Sequence, residues 1–155
     1  MVYLDSSVFV YAVTHDPSKS AKAKEAIGIL REVEENKTRG VTSLLSWDEL
    51  AWVVWRLEGR EASIRAGAAF LKLKNLSILA PGLPVMLRAQ ELVERYQLKP
   101  RDAIHVSTAL NAGEKEIISE DEELDVVAEI IRRPLTKKLV VRERSRLPRG
   151  PPLTD

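Results

Sequence analysis

Four carboxylates stand where short apolar runs of the chain come to an end. Asp5 directly follows Val2-Tyr3-Leu4, Glu49 lies in the first turn of the helix expected after Gly40-Val41-Thr42, Asp102 lies in the first turn after Pro100, and Asp121 comes three residues beyond Ile118. In open α/β sheets ligands bind beyond the carboxyl ends of the strands, so acids at those ends carry more meaning than acids elsewhere. Two carboxylates about 4 Å apart repel by about 4 kcal/mol at an effective dielectric of about 20, so a converging set needs protons or a divalent cation. The chain has no Cys and only two His, and a donor set made of oxygen alone selects Mg²⁺ or Mn²⁺. Each acid also has a plainer reading. Ser46 to Glu49 and Ser119 to Glu122 both match a capping box, and Asp102 suits the positive end of a helix dipole. Asp5 is the least suited to that reading, because Ser6 and Ser7 are able to cap the following helix themselves.

The elements that must position these acids follow from periodicity and punctuation. Val2 to Leu4 reads as a strand and Val8 to Val13 as a short helix, with Pro17 and Ser18 breaking the chain after it. From Ala21 to Glu35, Ala23, Ala26, Ile27, Leu30 and Val33 recur at helical spacing beneath Lys and Glu. Gly40 to Thr42 reads as a second strand, Ser46 to about Glu58 and Glu61 to Lys72 as helices, and Leu76 to Leu79 as a third strand closed by Pro81-Gly82. Helices over Pro84 to Tyr96 and Pro100 to Asn111 come next, the latter ended by Gly113. Ile117-Ile118 is a fourth strand, and Val126 to Ile131 is expected to add a last helical turn or an edge strand. Short apolar runs alternating with helices of this length form a parallel sheet covered on both faces, an α/β class.

Four segments, "YLDSSVFVYAV", "TSLLSWDEL", "LKPRDAIHVSTALNAG" and "IISEDEELD", resemble in order the four acidic blocks of the PIN-domain family, and within it the VapC toxins of toxin–antitoxin pairs. The resemblance spans Val2 to Asp125, and "LKPRDAIHVSTAL" is its most specific piece. It implies a three-layer α/β/α domain with a short central parallel sheet over residues 1–133, and it implies hydrolysis of RNA phosphodiester bonds with Mg²⁺, or Mn²⁺, as cofactor. By the same resemblance Asp5, Glu49, Asp102 and Asp121 form the acidic quartet. Asp5, Asp102 and Asp121 would hold the metal directly or through water, and Glu49 would serve a second metal or orient the attacking water. Ser119 and Asp125 would support the set. The implied partners are an RNA substrate, a cognate antitoxin and a second copy of the chain. A PIN-like fold without a catalytic task, binding RNA or a protein, is the alternative; the filled acid positions speak against it.

Other residues are weighed against ordinary packing. His105 lies three residues after Asp102 and so on the same helical face; a packed, hydrogen-bonded histidine is favoured over a metal ligand or general base. Trp47, Trp52 and Trp55 load one helix with aromatic surface that suits either the core or an interface with an antitoxin helix or a second copy. Arg101, beside Asp102, is placed to meet a substrate phosphate, with an ordinary surface charge as the simpler reading.

The whole chain of 155 residues, 45% apolar and with a net charge of +1, fits one domain without an electrostatic bias toward nucleic acid or membranes. The average conceals an acidic body and a basic tail, because eight basic and two acidic residues lie beyond Ile131. Residues 134–155 are expected to be an extended or disordered tail, able to contact RNA phosphate or simply solvated. Absence of Cys excludes a disulfide framework, thiolate metal sites and a cysteine nucleophile. Neither GxxxxGK[ST] nor GxGxxG occurs, and Ser7 stands where a phosphotransferase of the haloacid-dehalogenase type needs its second Asp. No signal peptide or membrane anchor is expected, and a cytoplasmic location fits best.

Overall fold

The computed structural model describes residues 1–136. Its elements, in chain order, are β1 (Val2–Leu4), α1 (Ser6–Thr14), α2 (Ala21–Glu34), β2 (Gly40–Ser43), α3 (Leu45–Glu58), α4 (Arg60–Leu71), β3 (Leu76–Leu79), α5 (Leu83–Tyr96), α6 (Pro100–Asn111), β4 (Glu116–Ile118), a short 3₁₀ helix (Glu122–Val126) and β5 (Ile131–Arg133). The strands form one parallel sheet in the order β3-β2-β1-β4-β5. Alternation along the strands sorts the core into two halves. Val2, Leu4 and Ile118 face α1 to α4 and pack with Phe9, Leu50, Val54 and Phe70, whereas Tyr3 and Ile117 face α5 and α6 and pack with Leu92, Ala103 and Val106. Both faces of the sheet are covered, giving the three-layer α/β/α arrangement. After α6 the chain turns at Gly113, whose φ of 82° is a conformation that side chains with a Cβ rarely adopt.

The connections place β1 centrally, with β2 on one side and β4 on the other. At that reversal of strand order the loops leaving β1, β2 and β4 diverge and open a crevice at the carboxyl edge. Asp5, the residues of early α3 and the segment after Ile118 therefore meet there.

Several local expectations change. Ser6 and Ser7 do not cap α1. Asp5 is itself the N-cap, in extended conformation, and its carboxylate accepts from the Ser7 amide. The last extended residue of the strand is the one whose side chain can turn back onto the first helical amides. The capping box at Ser46 does not form either: α3 begins at Leu45, and the buried Ser46 hydroxyl bonds Thr42 Oγ1 at 2.8 Å while Thr42 Oγ1 donates to the Leu4 carbonyl at 2.7 Å. The Ser119 hydroxyl likewise leaves the capping role to Asp121, whose side chain accepts from the Glu123 amide at 2.9 Å. The stretch from Val126 to Ile131 is not one element; the 3₁₀ helix ends at Val126 and the edge strand starts at Ile131. Two arginines in a three-residue strand obscure its pattern, yet charged residues are well tolerated at a sheet edge.

Leu135 is buried in the α1–α4 half of the core, and its amide donates to Glu120 Oε1 at 2.6 Å. The remainder of the expected tail, residues 137–155, lies outside the described residues.

Candidate active site

Asp5 is almost fully buried, and its carboxylate is held in place by a ring of hydroxyls. Oδ2 accepts from Ser119 Oγ at 2.8 Å and from Ser7 Oγ at 2.9 Å, so residues 114 positions apart in the chain fix one carboxylate. Glu49 comes in from α3, where Ser6 Oγ donates to its Oε2 at 3.1 Å. Between these acids lies His105, whose Nε2 is 2.5 Å from Glu49 Oε1 and 3.5 Å from Asp5 Oδ1. On its other side, Nδ1 lies 2.8 Å from the Tyr3 hydroxyl, which accepts from the Ser43 amide at 3.1 Å. In the neutral ring the Tyr3 hydroxyl would donate to Nδ1 and Nε2–H would face Glu49, whereas in the protonated ring both nitrogens donate. Burial alone would lower the His105 pKa, but Asp5 and the hydrogen bond and charge of Glu49 outweigh it and raise the value above the usual range. The favoured reading of His105 as packed and hydrogen-bonded holds, with the addition that it braces two of the quartet.

Asp102 lies in the first turn of α6 with its Oδ2 buried and without a hydrogen-bond partner. Burial, followed by the charges of Asp121 and Asp5, pushes its pKa up to about 6, against the opposing effect of His105. Glu49 adds a smaller push in the same direction. Asp102 therefore feels the charge of the other three expected acids. Among the described residues, however, the carboxylates that come together with oxygens within 4.8 Å of one another are Asp102, Asp121 and Glu123. Asp5 sits deeper, in its hydroxyl ring, and Glu123 takes the third place in this outer set. Glu123 is not among the acids expected from the sequence; its spacing of two from Asp121 is the signal that points to it. An orphaned buried carboxylate oxygen among like charges is what a hard divalent cation would satisfy, so the residues present fit Mg²⁺ or Mn²⁺.

Asp125 points elsewhere. Its two oxygens take a fork from Arg132, with Nε and Nη2 each at 2.8 Å, while Arg132 Nη1 donates to the Ser119 carbonyl at 3.1 Å. Through Arg132 it is linked to Ser119. Arg132 and Arg133, counted by charge with the basic tail, belong instead to β5, the second pairing with Glu116 at 3.0 Å. Asp102 and Glu49 open onto a cleft of about 490 Å³ that is also lined by Lys99, Pro100 and Arg101.

None of the tryptophans fills the core. Trp47, Trp52 and Trp55 are 40%, 55% and 49% exposed and, with α4, line a separate apolar groove of about 610 Å³. Trp47 lies so close to Gly67 that a Cβ there would come within 2.8 Å of its ring nitrogen.

The Asp102 proton has a measurable consequence. A cation must displace it, so below a pKa of about 6 the Mg²⁺ affinity falls with acidity. Calorimetric titration of Mg²⁺ at pH 5 and pH 7.5 is expected to show binding about tenfold weaker at the lower pH. Equal affinity at both would remove Asp102 from the set of ligands.

A family model for the PIN domain matches residues 2–130 of the chain. No curated protein matches the sequence. Among solved structures, the fold is similar to that of Mycobacterium tuberculosis VapC20, described as a sarcin–ricin-loop-cleaving toxin. That likeness has 16% identity and a TM-score of 0.65, and it covers 81% of this chain and 93% of that one. It is also similar to VapBC2 of Rickettsia felis bound to a promoter DNA fragment, with 18% identity, a TM-score of 0.65, and coverage of 86% and 98%. A third likeness is to FitAB bound to a DNA fragment, with 16% identity, a TM-score of 0.66, and coverage of 87% and 95%.

Proposed function

Because the chain belongs to the PIN-domain family, we propose that it is a Mg²⁺-dependent endoribonuclease and the toxin of a VapBC-type toxin–antitoxin pair. The observation that carries this reading is the buried, unpartnered Oδ2 of Asp102 within a converging set of carboxylates at the carboxyl edge of the sheet. When bound, the cation supplies a Lewis acid for a phosphate oxygen and lowers the pKa of its water. Asp5, Asp102 and Asp121 would hold it. Glu49, fixed through both oxygens by Ser6 and His105, orients the attacking water and receives its proton. Ser119 anchors Asp5, and Asp125 supports Ser119 through the Arg132 fork.

The partner assignments rest on different observations. Solved relatives of this fold include a toxin–antitoxin complex from Klebsiella pneumoniae, and the exposed tryptophan groove offers apolar surface that an antitoxin or a second copy would cover. Among the described residues no helix is long and apolar enough to cross a membrane, and the proposed location is the cytoplasm.

The test is cleavage of a pool of structured RNAs by purified protein with Mg²⁺, with EDTA, and with the Asp5→Asn variant checked for folding. Cutting that needs the metal and disappears in the variant is the expected outcome. Equal cutting in every sample would mean a contaminating nuclease. Tight RNA binding without cutting would favour the non-catalytic module.

A further inference from the structure

The cleft carries cations of its own, and nothing in the acidic chemistry requires them. Lys99 and Arg101 bracket Pro100 at the start of α6, one on each side of the first helical residue, and both line the opening above Asp102. They pair with different acids. Lys99 Nζ meets Glu123, beside Asp121, at 2.8 Å, whereas Arg101 Nη2 meets Asp48, beside Glu49, at 3.4 Å. Both ion pairs are solvent-exposed on both members, a setting in which such pairs contribute little to folding and exchange partners readily.

The nearby cations of the same edge are committed differently. Lys22 pairs with Glu120 and lies over the Tyr11 ring, and Arg132 is sequestered by Asp125 and the Ser119 carbonyl. A polyanion entering this cleft meets Glu49 and Asp102, with Asp121 and Glu123 clustered beside Asp102, and even a divalent cation leaves that set net negative. Some positive charge must offset the approach of the phosphates flanking the one that is cut.

We propose that Lys99 and Arg101 grip the RNA backbone at the mouth of the acidic cluster, each exchanging its carboxylate partner for a phosphate. This rests on the ribonuclease reading of the same site. Both are positioning residues that act on binding. Arg101, with its planar fork, takes phosphate oxygens in pairs, and Lys99 acts as a point charge.

The test measures binding apart from turnover. A fluorescently labelled single-stranded RNA is titrated by anisotropy in EDTA over a range of salt, using wild type, Lys99→Gln, Arg101→Gln, the double variant, and Arg60→Gln. The last removes one exposed charge from α4, outside the cleft. Each cleft variant is expected to bind about fivefold to tenfold more weakly and to lower the slope of log affinity against log salt by about 0.7, and the double variant by about twice that. Arg60→Gln should match wild type. In Mg²⁺ the same substitutions should raise KM with kcat within about twofold, and Arg101→Lys should recover most of the salt slope. Unchanged affinity and slope in the cleft variants, an equal loss in Arg60→Gln, or no RNA binding by wild type would overturn the inference. Binding that depends on Lys99 and Arg101 without any cleavage would sink the nuclease reading and leave this one standing.

Discussion

Asp102→Asn is expected to abolish RNA cleavage, by about a thousandfold or more, and at the same time to raise the melting temperature of the metal-free protein at pH 7.5. The first effect follows from removing a ligand charge from a site whose cation would contribute several kcal/mol to the transition state, each 1.36 kcal/mol being about tenfold in rate. The second follows from the direction of the Asp102 shift. Its pKa stands at about 6 in the folded chain against 3.8 for an ordinary aspartate, chiefly from burial and then from Asp121 and Asp5. A folded-state value raised in this way gives stability that is complete below about 4 and drains away as the pH climbs through about 6. Ionised Asp102 is thus a burden on the metal-free fold at neutral pH. Asparagine removes it, with a gain of about 1 kcal/mol once solvent access to the half-buried group is discounted, or about 2–4 °C in Tm. At pH 4 the gain should vanish. Added Mg²⁺ should stabilise wild type and leave the variant unmoved. A variant that cuts RNA at a tenth of the wild-type rate, or that melts below wild type at pH 7.5, would contradict this account.

His105→Leu is expected to cost about 3–5 kcal/mol of folding stability in urea titrations, although leucine is of similar bulk and helix propensity. The imidazole is 1% exposed and joins three groups, Tyr3 at one nitrogen and Glu49 and Asp5 at the other. Removing it takes one partner from each of two carboxylates and from the buried Tyr3 hydroxyl, which keep their bonds to Ser6, to Ser7 and Ser119, and to the Ser43 amide, and burying charge with fewer partners is costly. The pH dependence gives a second readout. The His105 pKa is raised above 6.5, so its contribution is complete below that pH and is lost as the pH rises through the elevated value. Metal-free wild type should therefore lose stability between neutral and alkaline pH, whereas His105→Leu should lack that component. A loss smaller than about 1 kcal/mol would show that the acids find other partners.

Comparison of particular residues shows why some features were legible and others not. The strands and long helices were read to within a few residues, because periodicity and proline placement act over a single turn. Capping was misread at Ser6, Ser46 and Ser119 for one reason: each hydroxyl is drawn into a bond with a distant or buried partner, Glu49, Thr42 and Asp5 respectively. A local motif loses when a tertiary partner offers a better-buried bond. The tryptophans went the other way. Their size suggested burial as readily as an interface, and only the packing of α3 on α4 shows them half in solvent.

By itself the sequence determined the α/β class, the order of its elements and the placing of acids just beyond apolar runs, since each is written in short-range spacing. Tertiary structure alone decided that Glu123 joins Asp102 and Asp121 in one acidic set, that His105 braces Asp5 against Glu49, and that Asp125 is claimed by Arg132. These depend on groups far apart in the chain meeting in a shared environment. Charge repulsion, burial and hydrogen-bond competition are settled by distance in space, which periodicity along a single element does not encode.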